Sequence, residues 1–317
     1  MTGVRNFTFL VNPASGGGAA PQAVLPVARL LRDAGAQVEV TYSPGPHAMR
    51  DLLDAAMARG DVVVSVGGDG MLSSLAGPVS TGGGTLAVLP AGRGNDFARM
   101  LGLPGDPGGQ AELLLTGNVR RVDLLALTLP GTVPRPVVGS VYAGVDAHAA
   151  EIVDRARLPK KLQYPYAAVR SLATYQPGRY LLSVDGVDHD YTAATVVVAN
   201  SAYYGKGMKI APEARIDDGV LDVVVIEAAS RLELLRALPT VYDGSHVHRP
   251  EVSVHRGKRV ELRGDSRTPI PLGGDGERLG ALPGTRAEPA VVEVQPGALS
   301  IIGRPGASAA PRPDSTS

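Results

Sequence analysis

Three short stretches of the chain combine glycine with side chains suited to holding phosphate. The first, Asn12-Pro13-Ala14-Ser15-Gly16-Gly17-Gly18, follows an apolar run and precedes a helical pattern. Free backbone amides at such a turn attract an anion. The second, Gly67-Gly68-Asp69-Gly70, sets one carboxylate among residues without side chains, so the backbone can press against a nucleotide while Asp69 addresses a metal or a water on it. The third, Gly92-Arg93-Gly94-Asn95-Asp96, adds a guanidinium, an amide and another carboxylate. Any one of these reads equally as a tight turn, with Asp69 as its cap. Three of them after three strands of one domain point to a nucleotide or phosphate site. The only lysines are Lys160, Lys161, Lys206, Lys209 and Lys258, so a P-loop with its lysine is excluded from the first half. No Gly-x-Gly-x-x-Gly fingerprint follows a strand either.

The elements that must position these turns alternate. Phe7–Val11, Gln37–Thr41, Asp61–Val66 and Thr85–Leu89 read as strands, the third a continuous apolar run of the kind buried in parallel sheets. Ala23, Val24, Val27, Leu30 and Leu31 recur at helical spacing, and His47–Arg59 is a second amphipathic helix. The pattern predicts a three-layer α/β domain over 1–130, its glycine-rich loops at strand C-terminal ends, where open sheets bind ligands. The second half reads mostly as strands: Val119–Leu129, Val137–Ala143, Arg179–Val184, Ala193–Asn200, Val220–Glu227, Glu251–His255, Arg259–Leu262, Val291–Gln295 and Leu299–Ile301. Only Tyr164–Tyr175 and Arg231–Val241 read as helices there. The expectation is a β-sandwich domain over 131–303 and a disordered, Pro- and Ser-rich tail over 304–317.

Composition narrows the classes. Lys+Arg 31 against Asp+Glu 31 leaves a formal net charge of +0, so no global field draws the chain to nucleic acid. Cys 0 excludes disulfides, thiolate metal sites and cysteine nucleophiles. No run approaches the roughly 18–20 apolar residues of a membrane span, and the N-terminal residues do not read as a secretory signal. The expectation is a cytoplasmic protein, at most peripheral to the inner face of a membrane.

The motifs together resemble the diacylglycerol kinase catalytic-domain superfamily, bacterial lipid kinases related to sphingosine and ceramide kinases. The matching segments are Asn12 to Gly16, Gly67 to Gly70, Pro90 to Ala98, Ala211-Pro212 through Asp217 to Asp222, and Asp275-Gly276-Glu277, in the family's order and over about residues 5–303. The resemblance implies a nucleotide-binding α/β domain followed by a β-sandwich, and transfer of the γ-phosphate of Mg·ATP to a lipid hydroxyl, diacylglycerol first among the candidates. It implies an ATP site lined by Asn12, Pro13, Ala14, Ser15, Gly16, Thr41, Gly67, Gly68, Asp69 and Gly70, with Asn95 and Asp96 beside the phosphates, where the guanidinium of Arg93 can add a charge-assisted contact. Asp275 matches the family's proton acceptor. Read from the residues alone, Asp275-Gly276 is a hairpin turn. Asp218, with the carbonyls of Arg215 and Val220, matches a structural Mg²⁺ site, and alone reads as an Asx turn. The NAD and polyphosphate kinases share Gly-Gly-Asp-Gly, but Asp275 to Glu277 and Asp217 to Asp222 favour the lipid branch.

The chain departs from that pattern at Met71, where Thr is usual, at Ser73 and Ser74, where Asn and Glu are usual, and at Arg93, where a Thr is common. These changes retune the site, slow it, or mark a non-catalytic binding protein of the same fold. Arg155, Arg157, Lys160 and Lys161 lead into Leu162, Tyr164, Tyr166, Val169 and Leu172, the form of a transient peripheral membrane contact or of a solvated loop before a core helix. His246 and His248 have metal-capable spacing without a third ligand and read as a surface turn. The lipid and the oligomeric state stay open.

Overall fold

The computed structural model describes residues 5–42, 46–148, 166, 170, 171, 174 and 176–304. Strands β1 (Phe7–Val11), β3 (Val62–Gly67) and β4 (Thr85–Pro90) form the middle of a parallel sheet, with β2 (Val38–Tyr42) at its edge in the order β2-β1-β3-β4. Every residue of β1 and of β3 is buried, which is why both read as unbroken apolar runs rather than alternating ones. Helices α1 (Ala20–Asp33) and α5 (Pro107–Thr116) pack on one face through Val24, Val27, Leu31, Ala111 and Leu114. Helices α2 (Pro46–Ala58) and α3 (Asp69–Thr81) cover the other with Leu53, Ala56, Leu72, Leu75 and Val79. This is the three-layer arrangement, and a one-turn helix α4 (Asp96–Met100) follows β4 at its rim.

The rest of the chain is an antiparallel, sandwich-like β-domain. Its strands are β5 (Asn118–Thr128), β6 (Arg135–Val137), β7 (Ser140–Gly144), β8 (Gly178–Val184), β9 (Val187–Ala199), β10 (Leu221–Glu227), β11 (Val252–Gly257), β12 (Arg259–Asp265), β13 (Pro271–Gly274), β14 (Glu277–Ala281) and β15 (Ala290–Gly303). Leu125, Val141, Tyr180, Val196, Val198, Val223, Leu262 and Val292 meet in its core. A helix, α6 (Arg231–Asp243), covers the other face of β9 and β10, started by a full capping box of Ser230 and Glu233.

The last strand ties the two halves together. β15 pairs antiparallel with β12 and β5, and its final residues run parallel to β4, Ser300 beside Thr85 and Ile301 beside Leu86. The chain thus leaves the first domain and returns to its sheet edge at the end. Two expected strands, Val291–Gln295 and Leu299–Ile301, are this one strand with an irregularity between Gln295 and Leu299. The expected strand Val137–Ala143 is instead two, β6 and β7, parted at Val138-Gly139. β13 and β14 escape a period-based reading because they are short and glycine-rich. The expected helix Tyr164–Tyr175, the basic stretch Arg155 to Lys161 with the residues that follow it, and the tail beyond Arg304 fall outside the described residues, apart from single positions.

Candidate active site

Parallel register sets the glycine-rich turns side by side. Val11 lies beside Tyr42 and Val66, and Gly67 beside Pro90, so all four strands end at one edge of the sheet. The first turn is held by its own polar groups: Asn12 Oδ1 accepts the Ala14 amide at 3.0 Å, and the Ser15 amide donates to the Asn12 carbonyl at 3.1 Å. Pro13 and Ala14 are exposed on it. Gly16 has φ +61°, and a Cβ there would fall 2.4 Å from the Ala91 carbonyl oxygen. The second and third turns touch backbone to backbone: a Cβ on Gly92 would lie 2.3 Å from the Gly68 Cα. Ser15 Oγ sits beside Gly67 and Gly68. The three turns therefore form one contiguous backbone surface. Thr41 is half-buried near the end of β2, paired with Leu10 and one strand outside this surface.

The carboxylates are more committed than the sequence suggests. Asp69 opens α3, yet its side chain accepts the amides of Asp96 and Phe97, both at 3.1 Å, and so caps α4. Asn95, at φ +54°, exchanges hydrogen bonds with Gly92: its Oδ1 accepts the Gly92 amide at 2.9 Å and its Nδ2 donates to the Gly92 carbonyl at 3.1 Å. Asp96 is buried and accepts the amides of Lys206 and Gly207 from the second domain, each at 2.7 Å, and the Arg99 guanidinium at 2.5 Å. Burial pushes its carboxyl above the usual range, aided by the nearby charge of Asp69 and opposed by those donors. Like charges pressed together in this way suit a divalent cation, and Mg²⁺ is commonly held by one or two carboxylates with phosphate oxygens. Asp69 and Asp96 fit that role.

Lys206 is a residue that motif reading misses. Its Cγ lies 3.8 Å from where a Gly94 Cβ would be, and desolvation with the charge of Arg93 lowers its ammonium pKa. Arg93 itself is exposed. The third turn thus carries one cation of its own, Arg93, and has a second, Lys206, beside it from the other domain.

Asp275 stands at the domain junction. With Gly276 it forms the two-residue turn between β13 and β14, at φ +49° and +82°, both in the left-handed region such hairpins require. The turn is the Asp-Gly hairpin that the residues alone suggest. Its Oδ2 accepts the Val138 amide at 2.7 Å and the Ser73 hydroxyl at 2.7 Å; its Oδ1 accepts the amides of Gly139 at 2.8 Å and Ser140 at 3.2 Å. The break between β6 and β7 supplies the three amides. Fully buried Asn200 fixes that break from behind, its Nδ2 donating to the carbonyls of Val138 and Asp123 while its own amide donates to the Gly139 carbonyl. Desolvation raises the Asp275 carboxyl above the usual range, and Ser73 and the three amides pull it back. Glu277, two residues on, pairs with Arg135 at 2.7 Å and approaches Gly70.

Asp218, Arg215 and Val220 lie apart from this junction, on a segment fastened to β5. Asp218 Oδ1 accepts the Val220 amide at 3.2 Å, an Asx turn, while buried Asp123 accepts the amides of Gly219 and Gly297. Among the described residues no group of three or more carboxylates or imidazoles is placed to hold a metal ion by itself. His246 corrects the surface-turn expectation. It is 1% exposed, with Nε2 3.0 Å from the Ile210 carbonyl oxygen and Nδ1 3.3 Å from that of Thr240, and burial lowers its pKa.

A cavity of about 140 Å³ lies away from the glycine-rich turns, between α6 and the outer face of β9 and β10. Ala194, Ile226, Leu234, Ala237, Leu238 and Val252 give it apolar walls. At its polar end Asp146 accepts hydrogen bonds from Thr195 at 2.7 Å and from Tyr204, and burial raises its carboxyl above the usual range.

Comparison with known proteins agrees with this architecture. Residues 6–127 match the family model described as the diacylglycerol kinase catalytic domain, and residues 139–303 that of the YegS C-terminal NAD kinase beta sandwich-like domain. A diacylglycerol kinase of Mycobacterium tuberculosis H37Rv is 32% identical over 281 residues, 84% of this chain and 91% of that protein. The diacylglycerol kinase of Bacillus subtilis 168 is 24% identical over 73% of this chain and 76% of its own. The solved structure of a candidate diacylglycerol kinase from Bacillus anthracis Sterne superposes with a TM-score of 0.73 at 20% identity, over 97% of this chain and 100% of that one, a likeness of fold.

Proposed function

The chain belongs to the diacylglycerol kinase catalytic-domain family with a YegS-type second domain, and from that premise we propose that it transfers the γ-phosphate of Mg·ATP to the hydroxyl of a diacylglycerol, giving phosphatidic acid. The observation that carries the reading is the position of Asp275. A carboxylate raised by desolvation sits at the domain junction, hydrogen-bonded to the helix that leaves the Gly67 to Gly70 turn.

Phosphoryl transfer asks little covalent work of a protein; it needs positioning, charge neutralisation and a base for the attacking alcohol. The backbone of Ser15 to Gly18, Gly67 to Gly70 and Gly92 to Gly94 would receive the nucleotide, with Arg93 and Lys206 toward its phosphates. Mg²⁺, held by Asp69 and Asp96, would neutralise the charge on those phosphates. The lipid oxygen forms a bond to the γ-phosphorus, the bond from that phosphorus to the ADP oxygen breaks, and Asp275 takes the hydroxyl proton.

The apolar cavity behind α6 supports an acyl-bearing substrate. The outer side of α6 supports work at a lipid surface: Leu232, Leu235 and Tyr242 are exposed there beside Arg231 and Arg236. Among the described residues no helix is long and apolar enough to cross a membrane, so such contact would be peripheral.

The test is transfer of labelled γ-phosphate to dioleoylglycerol in mixed micelles by the wild-type chain and by Asp275→Asn. The wild type should label the lipid. The variant should lose about 10²–10⁴-fold in kcat, the usual contribution of a general base, with the KM for ATP unchanged. Labelling of another lipid alcohol from a total extract, and not of diacylglycerol, would overturn the substrate; no transfer to any lipid would overturn the kinase reading.

A further inference from the structure

Asp275 accepts four hydrogen bonds, and their sources differ. Three come from backbone amides of its own domain, Val138, Gly139 and Ser140, which no side-chain substitution can remove. The fourth comes from the other domain: Ser73, in the second turn of α3, donates to Oδ2 at 2.7 Å. Ser73 is the position at which this chain departs from the Asn usual in the family, and Ser74 beside it turns away to the Met71 carbonyl. The packing around the contact is close. A Cβ on Gly70 would lie 3.3 Å from Glu277 Oε1, and one on Gly77 would meet the Pro136 ring at 2.4 Å. α3 is therefore seated against β6, the strand that ends at the amides holding Asp275, with Glu277 of β14 beside its first turn.

We propose that Ser73 is a positioning residue for proton transfer: its hydroxyl, donating to Asp275 Oδ2, aims that oxygen at the junction between the nucleotide turns and the lipid. The inference rests on the reading of Asp275 as the base. The direction follows from elementary electrostatics. Burial favours the neutral acid, whereas a donor to the carboxylate favours the anion. Ser73 is foremost among the donors that oppose the burial of Asp275. The contact joins the domains as well, so the base is in place only when α3 and the β13–β14 turn are together.

Ser73→Ala and Ser73→Thr test this, each checked for folding by its thermal melt. The readouts are the pH dependence of kcat on the acid side, the KM for ATP at saturating lipid, and a carbon-13 NMR titration of the Asp275 carboxyl, which needs no turnover. Loss of one hydrogen bond to a charged group should move the acid limb of Ser73→Ala upward by about one to two pH units. The carboxyl titration should move with it, the KM for ATP should hold, and Ser73→Thr should restore the wild-type limb. An unmoved limb and an unmoved titration in Ser73→Ala, beside a crippled Asp275→Asn, would overturn the inference and leave the base assignment standing. Full turnover by Asp275→Asn would overturn both.

Discussion

Asp69 caps the helix that Asp96 begins. The Asp69 carboxylate accepts the amides of Asp96 and Phe97, and the Asp96 carboxylate in turn accepts the amides of Lys206 and Gly207 across the domain boundary. Two acidic residues in series thereby connect the glycine-rich turn after β3 to a loop of the second domain. Two of those four amides, of Lys206 and Gly207, cross between the domains, so Asp96 is at once part of the third turn and a tie to the second domain.

The first prediction follows from that double duty. Asp69→Ala should abolish kinase turnover and also lower the melting temperature, because removing a helix cap costs about 0.5–2 kcal/mol. Asp69→Asn retains an acceptor oxygen and should recover most of the stability without the activity. Measuring turnover and thermal denaturation on both variants separates the roles. Equal melting of Asp69→Ala and wild type would show that the cap carries no stability.

The second concerns Asp146, held by Thr195 and Tyr204 at the cavity. Its folded pKa lies above the ordinary 3.8 because burial penalises the charge. A raised carboxyl favours the folded state when protonated, so its contribution is greatest below the unfolded pKa and is lost as pH rises through the folded value. Asp146→Asn keeps an acceptor for both hydroxyls and removes the titration. It should melt higher than wild type near neutral pH, with the gap closing toward about pH 4. Thermal melts across that range check it; a gap that widens on acidification would mean the ionised form is the one the fold favours.

The legible and illegible parts of this chain divide along physical lines. β3 could be read because full burial in a parallel sheet leaves a continuous apolar run, and the Gly67 to Gly70 and Gly92 to Asp96 turns because chemistry at strand ends needs residues of particular type in a short stretch. β13 and β14 could not, because Leu272-Gly273-Gly274 gains its strand from partners β7 and β14 rather than from its own periodicity. The Val138-Gly139 break was hidden for the same reason. Glycine at 139 was its one local sign, and the pairing that makes it a cradle for Asp275 comes from residues about 136 positions away. Lys206 and Asn200 carry no motif at all. Lys206 matters through a contact with Asp96 that exists only once the two domains are together, and Asn200 through one with Val138 that exists only once the β-domain has folded.

The last prediction addresses the cavity behind α6. Ala237 is half-buried on the inner side of that helix, facing a space of about 140 Å³ walled by Leu234, Leu238, Ile226 and Val252. Ala237→Leu adds apolar volume where space already exists, so packing should not suffer as it does when a full core is overfilled. If the cavity takes an acyl chain, the new side chain displaces part of it. Losing the burial of about two methylene groups at ~0.8 kcal/mol each would raise the KM for a long-chain diacylglycerol about tenfold. A dihexanoyl substrate, too short to fill the cavity, should be phosphorylated as before, and the KM for ATP should stay constant because the nucleotide turns lie in the other domain. Steady-state kinetics with the two lipids, alongside a thermal melt, decide the matter. A uniform change for both lipids would place the acyl chain elsewhere, and an unchanged long-chain KM would leave the cavity as a packing defect of the second domain.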